Sequence, residues 1–336
     1  MNRRRLAAVL AVLALLLGVG AVVGFTTGAV DQVLGGAPAP STASTTSAPT
    51  TSAPTSPPTS PPRSGPTTSA PPSSTAPGSG STISPPSSAP AGTGYYLALG
   101  DSLAAGFQNG ADHRTEGYVG AVRTALEKRD GPTQLVNLAC SGETTTSMLE
   151  GGGCTYDEGT QLAAAEAFLR ENAADTRLVT LDIGGNDVAR CGFGGLKPSC
   201  TTPALATLSD NLPQITSRLR AAAPKAQVVV LNYYDPFLVL DLLGDAGLGQ
   251  KSVTELAKVN GVIARSAAAS DARVADVATA FQTTVTTPTT VKDVGRLPTN
   301  LARILQWTWM APPRFDFHAN DAGYAVMARA VVAQLR

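Results

Sequence analysis

Histidine is scarce in this chain, with only two among 336 residues, so a site that needs an imidazole has few candidates. The formal net charge is zero, and no basic run follows the arginines of the N-terminal MNRRR segment. Nucleic-acid-binding domains carry a basic patch or stripe, so the charge pattern argues against a nucleic-acid partner. The four cysteines include no Cys-x-x-Cys pair of the kind found in zinc sites. We therefore expect neither a metal nor an organic cofactor.

An apolar run at residues 6–25 directly follows the N-terminal arginines. Arginines followed by such a run are typical of an export signal. The run is longer than the usual signal-peptide core of about 7–15 residues and matches a membrane-spanning helix. A weak cleavage site ends at Ala29. Residues 1–30 are thus predicted to be a signal peptide or a signal anchor helix, and we favour the uncleaved anchor. The arginines would stay in the cytoplasm, which places the rest outside.

Residues 31–94 are predicted to form a disordered stalk. From about residue 37 onward the composition is almost entirely Pro, Ser, Thr, Ala and Gly. Such a segment cannot bury enough apolar surface to offset its ordering entropy. Ser and Thr together with Pro are typical of O-glycosylated stalks. Residues 95–336 remain, and they are enough for one large α/β domain.

The cysteines agree with an external location, because all of them fall in the predicted domain, at Cys140, Cys154, Cys191 and Cys200. Four cysteines allow three disulfide pairings. Proximity in sequence favours Cys140 with Cys154 and Cys191 with Cys200, each closing a loop of irregular composition. A metal site is the alternative, but an exported protein favours disulfides.

Short apolar runs and helical patterns alternate along the domain. The predicted strands are residues 95–99, 134–139, 177–183, 227–232 and 273–277. The predicted helices are residues 118–128, 161–171, 204–220, 253–268 and 322–334, with Pro213 expected to kink or break the third. This alternation predicts an α/β fold, namely a flavodoxin-like, doubly wound, mostly parallel five-stranded sheet with helices on both faces. Functional residues of such sheets lie at the carboxyl ends of the strands.

Glycine and small polar residues follow the first three predicted strands. The first strand is followed by Gly100-Asp101-Ser102, the second by a loop with Gly142, and the third by a loop with Asn186. A serine before a possible helix is either an N-cap or a nucleophile at the sheet edge. Free backbone N–H groups and an amide side chain are the donors of an oxyanion hole. Each loop taken alone is more typical of a turn or cap, but three in a row, each at a strand end, favour an oxyanion hole.

The two histidines differ in their sequence surroundings. His113 lies in a polar loop typical of the surface, whereas His318 directly precedes the final predicted helix. If Ser102 is a nucleophile, one of them must be its general base. His318 is the better candidate, because a loop after the last strand can reach the same sheet edge. The structural alternative is a helix start that is capped by Asn320 or Asp321.

The set of motifs resembles the GDSL or SGNH hydrolase family. GDSLAAG, CSGETT and GGND are followed in order by His318 within HANDAGY, across roughly residues 95–336. The resemblance implies the SGNH hydrolase fold, with Ser102 as nucleophile and His318 as base. It also implies an oxyanion hole made by the backbone N–H groups of Ser102 and Gly142 and the side-chain amide of Asn186. The chain is similar to secreted esterases and lipases of actinobacterial type. We therefore expect an extracellular, monomeric serine ester hydrolase acting on a small-molecule or lipid ester.

The sequence departs from the family pattern at the orienting acid. The usual Asp-x-x-His block places Phe315 where the acid belongs, whereas Asp316 lies two residues before His318. In an extended stretch, residues two apart point to the same side, so Asp316 could still reach the histidine. The alternative is a backbone carbonyl near Phe315 as acceptor, with Asp316 paired to Arg314.

Other folds and functions give different expectations. The α/β-hydrolase elbow Gly-x-Ser-x-Gly requires a glycine where this chain has Ala104, which argues against that fold. Segments 236–249 and 301–313, the latter with Trp307 and Trp309, are candidates for an acyl pocket. A carbohydrate acetylesterase remains an alternative, as does a catalytically inactive cell-surface binding module. An inactive copy usually loses the Ser, the Asn or the His, and all three are present here.

Overall fold

The computed structural model describes residues 82–85, 90, 92–192, 195–243, 247–311 and 313–336. The predicted signal or anchor segment and most of the predicted stalk lie outside these residues. None of the helices in the described ranges is both long and apolar enough to cross a membrane.

Strands and helices alternate through most of the domain. The strands are β1 (Gly94–Gly100), β2 (Thr133–Asn137), β3 (Thr176–Asp182), β4 (Gln227–Leu231), β5 (Arg273–Ala275), β6 (Pro288–Val291) and β7 (Gly295–Pro298). The first helices are α1 (Gly117–Asp130), α2 (Thr145–Glu150), α3 (Gln161–Asn172), α4 (Gly185–Gly192) and α5 (Pro198–Ala222). The later helices are α6 (Leu248–Ala269), α7 (Val277–Ala280), α8 (Thr299–Trp307) and α9 (Asp321–Val332), and a 3-10 helix spans Pro236–Leu243.

The main sheet has the strand order β2-β1-β3-β4-β5, and all of its neighbouring strands are parallel. This is the flavodoxin-like order, so the fold class predicted from the sequence is confirmed. Every residue of the interior strand β1 is buried, because helices cover both faces of the sheet. β1 and β3 are neighbours, and Gly100 pairs with Asp182 where both strands end. The segments after these two strands therefore meet at one edge.

The helices form two layers. On one face α1 packs against α9, and on the other face α5 packs against α3 and α6. Right-handed crossover connections account for this distribution, because the chain reverses its direction across the sheet after β2.

The sequence predicts a kink or a break at Pro213, and the break is wrong. Helix α5 continues through both Pro203 and Pro213. A proline removes one backbone hydrogen bond from the helix interior. The apolar face of the helix offsets this loss through burial of Leu208, Leu212, Ile215 and Leu219.

Two segments expected to be regular are irregular instead. Residues 103–107 form successive turns rather than a helix, with the Phe107 N–H donating to the Ser102 carbonyl (2.9 Å). Strand β2 ends at Asn137 and not at residue 139. The Asn137 amide donates to the Ala104 carbonyl (2.7 Å), and its oxygen accepts from the Ala139 N–H (3.0 Å). This side chain ties the loop after β2 to the turn after β1, while the Leu138 and Cys140 N–H groups still donate to the Ala98 and Gly100 carbonyls of β1.

The structure pairs Cys140 with Cys154 and Cys191 with Cys200, as proximity in sequence predicts. The Cα atoms of the two pairs lie 5.8 and 5.7 Å apart. Each disulfide closes a loop beside the carboxyl edge of the sheet, the first after β2 and the second across the α4–α5 connection.

Candidate active site

Ser102 follows β1 on a turn that only glycine allows at its first position. Gly100 has φ +132°, and a Cβ there would collide with the Asp182 carbonyl oxygen. The Asp101 N–H donates to the Asp182 carbonyl (3.0 Å) and to its Oδ1 (2.9 Å). This contact docks the nucleophile turn on the end of β3. Ser102 is 7% exposed and lines a cavity.

Two buried carboxyls lie beneath this turn. Asp101 accepts from the Leu103 N–H (2.9 Å) and from the Tyr233 hydroxyl (2.7 Å). Burial raises the pKa of Asp101, although these hydrogen bonds act in the opposite direction. Complete burial, together with the Asp101 charge, raises the pKa of Asp182 well above its ordinary value.

His318 lies between the serine and an acid. Its Nε2 is 2.9 Å from Ser102 Oγ, and its Nδ1 is 2.6 Å from Asp316 Oδ1. The backbone N–H of His318 donates to the same oxygen (3.0 Å). With the ring proton on Nδ1, the Nε2 atom is free to accept the serine proton.

Asp316 is suited to hold this tautomer. Partial burial acts to raise the pKa of Asp316, but the hydrogen bonds from the His318 ring and backbone outweigh it, so the pKa is lowered. Arg314 donates to Asn109 Oδ1 (2.6 Å) and lies over the Trp309 ring (3.8 Å). The structure thus brings Asp316 to the histidine despite its unusual spacing.

The imidazole is held in place from several sides. Its ring centroid lies 4.4 Å from that of Phe107 and 4.5 Å from that of Phe317. The Tyr234 hydroxyl donates to the Phe317 carbonyl (2.8 Å). The backbone N–H of Trp309 donates to the His318 carbonyl (3.0 Å). These contacts fix the loop before α9, which itself begins at the side-chain cap of Asn320.

The candidate oxyanion donors come from three loops. Asn186 lines the cavity with Ser102 and His318, and its amide donates to the Glu143 carbonyl (2.9 Å). That bond uses one amide hydrogen and leaves the second. Gly142 has φ +84° and directly precedes Glu143, but it is not among the residues that line the cavity. The structure therefore brings Ser102, Asn186 and His318 together, and Gly142 directly precedes Glu143, the residue whose carbonyl binds the Asn186 amide.

Sequence reasoning missed the side chains that join these loops. Gln161 accepts from the Gly100 N–H (2.6 Å) and donates to the Gly100 carbonyl (3.0 Å) and to Glu143 Oε2 (3.0 Å). Asp187 accepts from the Thr145 N–H (3.0 Å). Asp187 was visible as the residue after Asn186 in the GGND block, whereas Gln161 carried no signal, because it lies at a helix start far along the chain.

The cavity beside Ser102 measures about 730 Å³ including its open mouth. Most of its wall is apolar, and this part comprises Leu103, Val188, Ala189, Leu196, Pro236, Phe237, Leu256, Val259 and Phe317. Segment 236–249 thus contributes to the cavity as predicted. Trp307 and Trp309 do not line it: Trp307 packs edge-on against Phe281 (5.3 Å), and Trp309 lies beneath Arg314.

Comparison with known proteins identifies a family. The model of the GDSL-like Lipase/Acylhydrolase family matches residues 98–326. No curated protein matches the chain. Among solved structures, a phospholipase A1 from Streptomyces albidoflavus NA297 is similar, with 21% identity, 72% of this chain and 99% of that chain covered, and a TM-score of 0.48. An extracellular lipase from Streptomyces rimosus is 23% identical, with 71% of this chain and 99% of that chain covered and a TM-score of 0.49. A variant acetyl xylan esterase from Geobacillus stearothermophilus is 16% identical, with 72% of this chain and 94% of that chain covered and a TM-score of 0.45.

The family model carries the assignment. Its match runs from β1, just before the nucleophile turn, into the final helix α9 and takes in more than half of the chain. This protein therefore belongs to the GDSL-like lipase/acylhydrolase family and is a carboxylic ester hydrolase.

Proposed function

We propose that this protein is an extracellular serine ester hydrolase of the esterase or lipase type that works through Ser102, His318 and Asp316. The observation that carries the proposal is the relay from serine to acid, with 2.9 Å from Ser102 Oγ to His318 Nε2 and 2.6 Å from His318 Nδ1 to Asp316 Oδ1. These are the distances that a nucleophile, its base and an orienting acid require. The relay opens into a largely apolar cavity that suits an acyl chain.

In the proposed reaction, Ser102 Oγ attacks the ester carbonyl carbon while His318 Nε2 takes the hydroxyl proton. The carbonyl oxygen becomes an oxyanion, which receives hydrogen bonds from the N–H groups of Ser102 and Gly142 and from the second amide hydrogen of Asn186. The C–O bond to the alcohol then breaks, and His318 gives its proton to the leaving oxygen. Water repeats the sequence on the acyl-enzyme, with His318 again as base, and releases the acid.

Asp316 contributes by holding the imidazole. Its lowered pKa keeps the carboxylate charged at neutral pH, so it can accept from Nδ1 throughout and stabilise the imidazolium. The carboxylate does not need to take up a proton at any step.

The cavity supports an acyl group larger than acetyl. Its apolar wall is formed by side chains from several segments, more than an acetyl group can contact, and unfilled apolar surface adds nothing to binding. A carbohydrate acetylesterase and an inactive surface module remain the competing proposals. Both are decided by the experiment below.

We also propose that the domain is exported, either anchored at the cell surface by residues 1–30 on a stalk of residues 31–94, or secreted after cleavage. The arginines before the apolar run and the two disulfides support export. The substrate is then a small-molecule or lipid ester outside the cell, and the domain acts as a monomer. N-terminal sequencing of the mature protein distinguishes an intact anchor from a cleaved signal near Val30.

The central test is hydrolysis of nitrophenyl esters of increasing acyl length by the wild type and by Ser102→Ala. We expect turnover that rises beyond acetyl, and a loss of about a thousandfold or more in the variant, because no other group supplies the nucleophile. Ser217→Ala, at an exposed position of α5, is the matched control and should keep full activity. A fluorophosphonate should label the Ser102 peptide alone.

Three results would contradict the proposal. Ser102→Ala that keeps a tenth of the activity would exclude Ser102 as the nucleophile. Turnover confined to acetyl esters would favour the acetylesterase. A wild-type protein without turnover on any ester would favour the binding module.

A further inference from the structure

One end of the cavity is polar. We call Asp235, Ser252 and Glu255 the distal end, and Ser102, Gly142, Asn186, Asp316 and His318 the catalytic end. All three distal residues line the cavity. Ser252 and Glu255 share one face of α6 with the apolar Leu256 and Val259, at helical spacing. The same helix face therefore contributes polar groups in its first turns and apolar groups further on.

The helix also sets the separation between the two ends. Asn260, further along α6, binds the backbone of Tyr233 at the end of β4 through its oxygen (3.1 Å) and its amide (2.9 Å). The Tyr233 hydroxyl reaches Asp101, the neighbour of Ser102. A rise of 1.5 Å per residue places Glu255 about 7.5 Å, and Ser252 about 12 Å, along the helix axis from Asn260. Both side chains are therefore set apart along the helix from the point where α6 binds the Tyr233 backbone.

Within the distal end, both carboxyl oxygens of Asp235 accept hydrogen bonds. It is almost completely buried, and it accepts from the Phe237 N–H (2.9 Å) and from the Ser252 hydroxyl (2.7 Å). One donor therefore reaches each of its oxygens, and no further donor is required.

One carboxylate oxygen of Glu255 has no hydrogen-bond partner among the described residues. The residue is 9% exposed, and its Oε1 lies 2.7 Å from Lys258 Nζ. Its Oε2 is sheltered from water and has no partner among the described residues. Buried carboxylate oxygens are normally hydrogen-bonded, since an unmade bond costs the desolvation of the group. Because Glu255 lines the cavity, a rotation of its carboxyl group would bring this oxygen to a donor on a molecule inside the cavity.

The charges around the cavity define the kind of donor. Its lining includes the acidic side chains of Asp101, Asp235 and Glu255, and none of the described lining residues is Lys or Arg. An anionic group would meet like charges in a poorly hydrated space, whereas a neutral donor or a cation would not. Several aromatic side chains, including Tyr233 and Phe237, add faces that tolerate a cation.

We propose that the acyl chain of the substrate carries a hydrogen-bond donor, a hydroxyl or an ammonium group, which Glu255 accepts at the distal end. Glu255 is then a specificity-determining residue, and a plain alkyl chain is a poorer substrate than a donor-bearing one. This inference rests on the proposed function, because it assigns the acyl group to this cavity.

The test uses nitrophenyl esters of acids with six, eight and ten carbons whose far end is methyl, hydroxyl, ammonium or carboxylate. At the length that reaches Glu255, we expect kcat/KM for the hydroxyl and ammonium esters to exceed that for the methyl ester about tenfold, as for a hydrogen bond to a charged group. The carboxylate ester should be the poorest. Glu255→Leu should reverse the order in favour of methyl, and Glu255→Gln should keep the hydroxyl preference while losing the ammonium preference.

Glu166 is the matched control. It lies on α3 outside the cavity and pairs with Arg218 (2.5 Å), so Glu166→Leu and Glu166→Gln also remove a carboxylate from an ion pair. Both should keep the wild-type order of substrates. Equal kcat/KM for methyl and donor-bearing esters at every length, or an unchanged order in Glu255→Leu, would overturn the inference.

A binding measurement separates this inference from the proposed function. Calorimetry with the uncleavable N-methyl amides of the same acids should give a lower Kd for the hydroxyl and ammonium forms than for the methyl form. Equal dissociation constants overturn the inference even if all esters are cleaved. The expected order of Kd values without any ester cleavage would overturn the proposed function and support the distal site.

Discussion

The two ends of the cavity are built in different ways. At the catalytic end, loops after β1, β2 and β3 are joined to one another, since Gln161 binds both Gly100 and Glu143 while Asn186 binds the Glu143 carbonyl. At the distal end, side chains of one helix and one short segment face the cavity, and one carboxylate oxygen has no partner among the described residues. The first arrangement fixes geometry, and the second leaves a bond for a substrate to make.

This difference separates rate from choice of substrate. In the proposed function the catalytic end contacts the reacting ester group, which is the same in every ester, so a change there should lower kcat for all substrates alike. The distal end is reached only by the remote part of the acyl chain, so a change there should alter the order of substrates. The predictions below test this division.

The largest expected effect comes from the orienting acid. Asp316→Asn should lower kcat by at least about a hundredfold, and by up to about ten-thousandfold, because the amide no longer favours the Nδ1–H tautomer or stabilises the imidazolium. The order of substrates with different acyl ends should not change. Steady-state kinetics on two nitrophenyl esters measures both quantities.

Asp321→Asn is the control for this variant. Asp321 is an exposed acid in the first turn of α9, close in sequence to His318 but without a contact to its ring among the described bonds. We expect nearly full activity. If Asp316→Asn keeps more than about a third of the wild-type kcat, the site is a Ser-His dyad, and the carboxylate has another role.

Much of the catalytic end could be predicted from the sequence, because its parts are short motifs at strand ends. The order of the strands brings those ends to one edge, so the motif residues Ser102, Asn186 and His318 meet there. The role of Asp316 was open, because two residues of extended chain and a backbone carbonyl gave competing acceptors. Only coordinates show its Oδ1 beside the ring.

The distal end could not be predicted in the same way. Glu255 and Ser252 lie on a helix whose sequence pattern is typical of an ordinary amphipathic helix. Nothing in the local sequence indicates which of its faces lines a cavity. The hairpin of β6 and β7 was also missed, since its strands are short and polar and its turn depends on positive φ at Asp293 (63°) and Gly295 (107°). Long-range packing decides both features.

The two disulfides allow the catalytic end and the distal end to be compared through variants that should lose similar amounts of stability. Cys140–Cys154 closes the loop that contains Gly142, and Cys191–Cys200 closes the loop that carries the cavity residue Leu196. Their sequence separations are 14 and 9, for which chain entropy gives about 3 kcal/mol each. Removing either pair as a double Cys→Ala variant should therefore lower the free energy of unfolding by a similar amount.

The functional effects of the two double variants should differ. Loss of Cys140–Cys154 should lower kcat severalfold for every ester, because the Cys140 N–H donates to the Gly100 carbonyl (3.0 Å) beside the nucleophile turn. Loss of Cys191–Cys200 should instead weaken the preference for longer acyl chains. Urea unfolding together with kinetics on acetyl and octanoyl esters measures both. Identical changes in both variants would contradict a functional division between the ends.

The smallest expected effect is a pH dependence at the distal end. Burial raises the pKa of Asp235 to about 7, with the bond from Ser252 opposing it and the charge of Asp241 adding to it. The carboxyl is therefore neutral below about pH 7 and becomes charged above it.

An added negative charge attracts an ammonium group and does little to a hydroxyl. The ratio of kcat/KM for the ammonium ester to that for the hydroxyl ester should thus rise severalfold between about pH 6 and pH 8. The proposed acyl-transfer chemistry is the same for both substrates, so its own pH dependence cancels in the ratio. Asp235→Asn removes the titrating group and should make the ratio independent of pH. The same rise in that variant would contradict the assignment of this titration to Asp235.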